Sequence, residues 1–315
     1  MKNVYFQTKN KKIINKIDLF HKKNYTNKIN FSDEIILCEF TINKSIQASF
    51  SVFSNFLQKK DKSKIIAYNS DIQQSLKSKV KNFFYPNLYN NYNYELYKSF
   101  NVSDFVFIKN DKEIKVKSDL MIKKLFSNIK KKSDLLNLKI NGIWIGDLIY
   151  DSYLQKSSLP TIDLNSESFK FFFNDCIYAF NFWLDYFNKN KVKTVIGSHS
   201  VYHSAIPMRI GIKKGSDVFQ VNFHNIYRLS KQKLFGYDLF SDYKKIFNKF
   251  SINYKNKALE YSKKQCFKRF GGKIGVNMHY STKSAFSTYD KSNRILSDNN
   301  KKKILIAAHC FLDNP

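Results

Sequence analysis

The stretch KVKTVIGSHSVYHSAIPMRIGIKKGSDVFQVN, residues Lys191–Asn222, decides the fold of this chain. Val192–Gly197 is a short run with β-branched residues that ends at a glycine, which predicts a buried strand. Val218–Val221 predicts a second strand, and the segment between the two has room for a short helix. Two parallel strands joined by a right-handed helical crossover form a βαβ unit. The stretch therefore predicts an α/β fold.

The connecting helix carries residues that predict both of its ends. Ser204 is expected to be the N-cap, because a serine hydroxyl can accept a hydrogen bond from a backbone N–H of the first turn. Pro207 is expected in that first turn, where its missing N–H does no harm. Gly215 is expected to end the helix, since glycine adopts the left-handed conformation without strain.

The first third of the chain repeats this alternation of strand and helix. Ile35–Phe40 and Lys64–Tyr68 are apolar runs that predict two strands, and Asp104–Ile108 predicts a third. Between the first two runs, apolar residues recur every three or four positions and predict one face of a helix: Ile46, Phe50, Phe53 and Leu57. Alternating units of this kind predict a Rossmann-like α/β fold, with a mostly parallel sheet flanked by helices.

Three longer segments have the periodicity of helices: Leu120–Leu138, Glu167–Asn188 and Ser241–Tyr261. The second has the clearest apolar stripe, which is typical of a core helix. It leads directly into Lys191–Asn222, so we expect it to pack beside that βαβ unit. A loop is predicted after the third segment, because glycines cluster at Gly271, Gly272 and Gly275.

The turn after the first strand argues against a bound dinucleotide. Thr41–Asn43 stands where a dinucleotide-binding fold has its glycine-rich fingerprint, and it contains no glycine. The sequence therefore predicts no dinucleotide cofactor at this turn and, for the chain, no cofactor.

The net charge of +29 is compatible with a nucleic-acid partner, but its composition argues against one. Only four of the 54 basic residues are arginine, whereas base readers and phosphate clamps favour the planar arginine fork. The chain is also rich in Asn, Ile, Phe and Tyr, so a biased genome explains the lysine excess more simply. A basic surface still favours an anionic membrane leaflet or a phosphate-bearing substrate.

The cysteines and the hydropathy favour a cytoplasmic protein, and the basic surface would suit a position at the inner face of the membrane. The four cysteines are far apart and lack metal-ligand spacing, so we expect free, buried thiols in a reducing compartment and no zinc site. No run of about 18 apolar residues exists, and Met1 is not followed by a signal core.

Ser198–His203 is the most reactive segment of the sequence. It follows a predicted strand, and ligands of open α/β sheets gather at the carboxyl ends of strands. His199 and His203 are the candidates for catalysis, because imidazole titrates near neutral pH, and Tyr202 is a candidate for substrate binding. Their spacing of four would suit a metal on a helix, but no carboxylate follows at motif spacing. The alternative is a structural histidine bonded to the backbone.

Other candidate substrate-binding residues lie elsewhere in the chain: Asp147, Asp151, Arg209, His224, His309 and Asp313, with Tyr150 of lower rank. Asp147 and Asp151 are four apart, which on one helical face suits acid–base work or a metal, or simply a helix start. Arg209 could reach an anionic acceptor or extend over an amphipathic helix. Glu39, at the end of the first strand, is either a base or a solvated strand end.

The last residues open a new structural element. Ser297–Lys303 predicts a charged linker, and Ile304–Ala308 predicts a buried strand with nothing after it to cover it. We therefore expect a fragment with three parts: a basic extension over 1–30, an acceptor domain over 31–296, and a linker with the first strand of a truncated donor domain over 297–315.

Four segments, in this order, resemble bacterial capsule and surface-polysaccharide biosynthesis proteins: INGIWIGDLIYDSYL with LPTID, VIGSHSVYHSAIPMRIGIKKG, GVNMHYSTKSAF and KKKILIAAHCFLDNP. The resemblance covers roughly residues 135–315. It implies a glycosyltransferase of the two-domain GT-B type, without a bound metal. The amino-terminal domain would bind a glycan or lipid-linked acceptor, and the missing domain would bind the nucleotide-sugar donor, so the fragment would be inactive alone.

Two other functions stay open. A nucleotide-sugar epimerase would also use two facing α/β domains. A non-catalytic basic module for nucleic acid or an anionic membrane would instead present one contiguous lysine face and bind in a salt-sensitive way.

Overall fold

The structure is a computed structural model. It describes residues 15–16, 19–20, 23, 31–41, 43–70, 90–157, 159–222, 225–236, 243–276 and 284. The described residues up to 236 belong to one compact unit, and those from 243 onward belong to a second. Ile304–Ala308, the predicted first strand of a donor domain, lies outside the described residues.

The first unit is built on a mostly parallel sheet, which confirms the predicted α/β fold. Its six strands are ordered β3-β2-β1-β6-β7-β8, and only the pairing of β7 with β8 is antiparallel. A separate antiparallel pair is formed by β4 and β5. The bounds are β1 Glu34–Glu39, β2 Lys64–Asn69, β3 Val102–Phe107, β4 Lys139–Ile140, β5 Ile143–Trp144, β6 Lys191–Gly197, β7 Asp217–Val221 and β8 Ile226–Leu229.

Helices flank the sheet on both faces. The bounds in the first unit are α1 Lys44–Asp61, α2 Asn90–Ser99, α3 Lys112–Asn128, α4 Lys132–Leu136, α5 Gly146–Ser157, α6 Glu167–Lys189 and α7 Ile206–Lys214. Alternate residues of β1 point to opposite faces, so Leu37 joins the core under α6 whereas Cys38 joins the core under α1 and α2. Trp183 of α6 meets Tyr68 of β2 edge to face, with ring centroids 5.4 Å apart.

The second unit contains two described helices, α8 Tyr243–Asn248 and α9 Ile252–Phe270. The single helix predicted over Ser241–Tyr261 was therefore wrong. The helix is interrupted between Asn248 and Ile252. The Ser251 hydroxyl accepts a hydrogen bond from the Tyr254 amide at 3.3 Å and caps α9. A cap in mid-segment starts a new helix although the apolar periodicity continues.

The helix predicted over Leu120–Leu138 is likewise two helices, α3 and α4. The Asp134 carboxylate accepts hydrogen bonds from the amides of Lys130 at 2.9 Å and Lys131 at 3.0 Å, which fixes the start of α4. Ser204 is not the cap of α7, because a 3-10 turn over His203–Ala205 leads straight into that helix. The predictions for Pro207 and for the left-handed Gly215 are confirmed.

The strand order creates one place where the winding of the chain reverses. The chain runs outward from β1 to β2 and β3, then returns on the other side of β1 with β6 and continues to β7. In open α/β sheets, the crevice at such a switch point, outside the carboxyl ends of the strands, is the usual ligand site. Here the two strand ends that border it are Glu39 and Gly197.

Candidate active site

A carboxylate and a loop meet at this switch point. Glu39 ends β1, and its Oε2 accepts a hydrogen bond from the backbone N–H of Ser198, the first residue after β6. The backbone at Glu39 is itself held, because the Tyr97 hydroxyl donates to its carbonyl oxygen at 2.6 Å and accepts from the Thr41 amide at 2.9 Å. The carboxylate is therefore fixed against the start of the loop.

His199 follows Ser198 and is exposed to solvent. Its Nδ1 lies 2.8 Å from the hydroxyl oxygen of the buried Ser198. The imidazole ring itself is exposed. If Nδ1 carries the proton and donates to Ser198, Nε2 has the free lone pair that a general base needs. Two contacts thus connect Glu39 at the strand end, through Ser198, to the exposed ring of His199.

His203 has different surroundings. Its backbone N–H donates to the Ser152 hydroxyl at 2.6 Å, and its Nδ1 lies 3.2 Å from the same oxygen. Ser152 is buried on α5, and the His203 ring meets Phe172 edge on, with centroids 6.4 Å apart. These contacts tie the loop to the helix. His203 therefore positions the loop, and His199 is the better placed of the two imidazoles for chemistry.

A third hydrogen bond holds the loop after β6 from the side of β2. The buried Ser70 hydroxyl donates to the carbonyl oxygen of Ser204 at 3.2 Å. Beneath the loop, a Cβ added at Gly197 would lie 2.7 Å from Met208 Sδ and 3.2 Å from Tyr68 Oη, so a side chain there would have to displace the Met208 side chain. Burial and then the charge of Glu39 raise the pKa of Tyr68 far above its usual value. The loop is thus anchored to several elements before any ligand arrives.

Tyr202 is the strained residue of the loop, with φ 63° and ψ 175°. Residues other than glycine rarely adopt this conformation, and it costs about 1–3 kcal/mol. Such strain persists only where the surroundings hold it, and here the neighbouring His203 is bonded to Ser152. Strained backbone of this kind clusters at functional sites, which supports a functional role for this loop.

We expect Tyr202→Gly to be more stable than Tyr202→Ala by about 1–2 kcal/mol, because both remove the side chain but only glycine accepts this φ without strain. Urea unfolding of the two variants measures the difference. The same pair at Lys123, inside α3, is the control, and there glycine should be the less stable by about 1 kcal/mol. Equal stabilities at Tyr202 would show that the loop backbone carries no strain.

Arg209 lies in the interior. Its guanidinium donates to Asp147 Oδ2 at 2.7 Å and to the Trp144 carbonyl oxygen at 3.3 Å, and the side chain is 3% exposed. The Trp144 and Phe235 rings flank it, with centroids 5.1 and 5.0 Å from Cζ. This placement joins α7 to the start of α5, and it gives no support to the predicted contact of Arg209 with an acceptor.

Asp147 and Asp151 lie on one face of α5, as their spacing predicted. Burial raises the pKa of Asp147, and the adjacent Arg209 offsets part of that rise. Burial also raises the pKa of Asp151 to about 6, with a further contribution from Asp147 and an opposing one from Lys132. Tyr150, between them in sequence, is buried, and Lys132 Nζ lies 4.5 Å from its ring centroid.

The Asp151 carboxyl group makes stability depend on pH. Because its folded-state pKa of about 6 exceeds the unfolded one, its protonated form favours folding, and this contribution is lost as the pH rises from about 4 to about 6. Asp151→Asn should therefore raise the free energy of unfolding by about 1 kcal/mol near pH 8 and leave it unchanged near pH 4, allowing for solvent screening. Urea unfolding at both pH values checks this, with the exposed Asp119→Asn as control. A gain near pH 4 would contradict it.

His224, His309 and Asp313 lie outside the described residues. Among the described residues, no group of three or more His, Cys, Asp or Glu side chains could hold a metal ion. Cys38 and Cys176 are buried free thiols, as predicted, but Cys266 is exposed. Cys310 lies outside the described residues.

Two residues that hold the site gave no signal in the sequence. Ser152 and Ser70 are far from the loop along the chain, and only the topology brings them to it.

A depression of about 500 Å³ lies at the amino end of β7, lined in part by Gly215, Asp217 and Arg228. Its described lining includes the ion pair of Arg228 with Asp217 but contains no histidine, so we place the site at the switch point.

Across the described ranges, no helix combines the length and the apolar character that would let it cross a membrane. No family model matches the chain, and neither does any curated protein or solved structure.

Proposed function

We propose that this chain is the acceptor-binding part of a glycosyltransferase of surface or capsular polysaccharide biosynthesis, with its reactive edge at the β1/β6 switch point. The observation that carries the proposal is the line of contacts from Glu39 through Ser198 to the exposed ring of His199. Sugar transfer to a hydroxyl with inversion needs a base at the acceptor oxygen. An exposed imidazole whose other nitrogen is oriented by a buried hydroxyl suits that role.

The proposed step uses His199 Nε2 as the base. The acceptor hydroxyl loses its proton to Nε2 as its oxygen forms a bond to the anomeric carbon of the donor sugar. The bond from that carbon to the phosphate oxygen breaks, and the nucleoside diphosphate leaves. The proposed step uses the tautomer in which Nδ1–H donates to the Ser198 hydroxyl oxygen, because that tautomer leaves the Nε2 lone pair for the acceptor proton.

The nucleotide sugar is a substrate in this proposal, and no cofactor is needed. The acceptor is a glycan or a lipid-linked saccharide.

The test is a transfer assay with the protein expressed from its complete reading frame. A panel of uridine, guanosine and cytidine nucleotide sugars is incubated with oligosaccharide and lipid-linked acceptors, and the products are resolved by mass spectrometry. We expect one donor to be consumed only when an acceptor is present. Conversion of a donor to its epimer without acceptor would favour the epimerase instead. A protein that neither binds nor consumes any donor would contradict the proposal.

A further inference from the structure

The helix α9 exposes its large apolar side chains. None of its 19 residues is buried, and Ile252, Leu259, Phe267 and Phe270 are between 57% and 73% exposed. Soluble proteins commonly expose single apolar side chains, but several on one helix mark an interaction surface.

These side chains share one side of the helix. At 3.6 residues per turn, Ile252, Leu259 and Phe270 fall within about 20° of one line along the axis, and Phe267 lies about 60° to one side. Lys263 also lies near this line, with its Nζ 6.0 Å from the Phe267 ring centroid. Its long stem can turn the ammonium group outward from an apolar surface. We call Ile252, Leu259, Phe267 and Phe270 the apolar stripe.

The charge around the stripe is almost entirely positive. Residues 243–276 contain nine lysines and one arginine but a single acidic residue, Glu260. That carboxylate is paired with Lys264 at 2.7 Å. The rest of the chain taken together has 44 basic and 24 acidic residues, so the excess of positive charge is more one-sided in residues 243–276 than in that remainder as a whole. The partner of the stripe is therefore expected to be anionic.

We propose that α9 lies on an anionic lipid surface, with the apolar stripe at the boundary of the acyl chains and the lysines among the headgroups. A helix with an apolar side and a lysine-rich polar side has the character of an interfacial helix. Each lysine near an anionic bilayer adds to the attraction, and lysine serves as a point charge without directional demands. A nucleic acid would use the positive charge but would leave the aliphatic side chains of Ile252 and Leu259 without a partner.

The test is sedimentation of the 315-residue chain with vesicles. One set contains phosphatidylglycerol and phosphatidylcholine in equal parts, and the other contains phosphatidylcholine alone. We expect binding at least tenfold tighter to the anionic vesicles, and a clear loss on raising the salt from about 0.1 M to about 0.5 M, where the Debye length shrinks. Equal binding to both vesicles would overturn the proposal.

Matched variants locate the surface. Leu259→Ser with Phe270→Ser should weaken binding roughly tenfold or more through lost apolar contact. The control is Val116→Ser with Leu120→Ser, which changes two exposed apolar residues of α3 and should change nothing. Circular dichroism checks that each variant is folded.

A second pair tests the charge without touching the stripe. Lys257→Glu with Lys268→Glu should weaken binding on the order of 30-fold, whereas Lys117→Glu with Lys123→Glu on α3 should have a much smaller effect. Equal losses in the two pairs would refute an α9 surface. Tighter binding to single-stranded DNA than to the anionic vesicles, lost with the same variants, would reassign the surface to nucleic acid. Vesicle binding is measured without any sugar, so its failure leaves the transferase proposal untouched.

Discussion

Arg209→Met is expected to lower the free energy of unfolding by about 3–5 kcal/mol, because it leaves a buried carboxylate without its counter-charge. Asp147 Oδ2 accepts from Arg209 at 2.7 Å, and Asp147 Oδ1 is buried with no hydrogen-bond partner among the described residues. Without the guanidinium, the carboxyl group must ionise in the interior or take up a proton. Methionine fills much of the space between Trp144 and Phe235, so loss of packing contributes less.

The matched control is Arg228→Met. Arg228 also pairs with an aspartate, Asp217, but its side chain is 71% exposed, so we expect a loss of about 0–1 kcal/mol. Urea unfolding of both variants gives the comparison. The double variant Asp147→Asn with Arg209→Met should recover part of the loss, since it removes the unpaired charge. Similar losses for Arg209→Met and Arg228→Met would contradict this account of the interior ion pair.

His199→Ala is expected to lower kcat for sugar transfer by about 10²- to 10⁴-fold, the usual contribution of a general base. The ring is exposed and makes its hydrogen bond to Ser198, so the free energy of unfolding should change little. Transfer kinetics with the full-length protein and urea unfolding of the same sample separate the two effects.

His203→Ala is the comparison for this variant. It removes the Nδ1 contact with the buried Ser152 and the ring contact with Phe172, so we expect a loss of about 1–2 kcal/mol in stability. Its effect on kcat should be the smaller of the two and should not shift the pH profile of kcat. A His199→Ala enzyme with unchanged kcat would remove His199 from the chemistry, whatever the effect of His203→Ala.

The fold was readable from the sequence because its signals are local. β-branched runs gave the strands, and the apolar period of α6 gave the main core helix. The break before Ser251 was missed because a cap is one side chain, whereas the helical period continued through it. Ser204 was misjudged for a related reason: its hydroxyl donates to the Val201 carbonyl at 3.3 Å.

The site was only partly readable, since its geometry depends on which strands become neighbours. The sequence indicated Glu39 at the end of one strand and His199 after the end of another. Only the strand order of the sheet shows that Ser198 contacts Glu39. The interior position of Arg209 could not be foreseen, because Asp147 lies 62 residues earlier in the chain. Sequence patterns find polar strand ends, and topology decides which of them meet.

The most direct test of the switch-point site is the NMR signal of the His199 ring. The chain has six histidines, so labelling them with a stable isotope and assigning the signal with His199→Gln is practical. The acceptor with the highest transfer rate is titrated into the labelled protein. We predict that the His199 signals shift in a saturable way and that Glu39→Gln changes this response. Saturable shifts at other histidines with His199 unmoved would contradict a ligand site between the ends of β1 and β6.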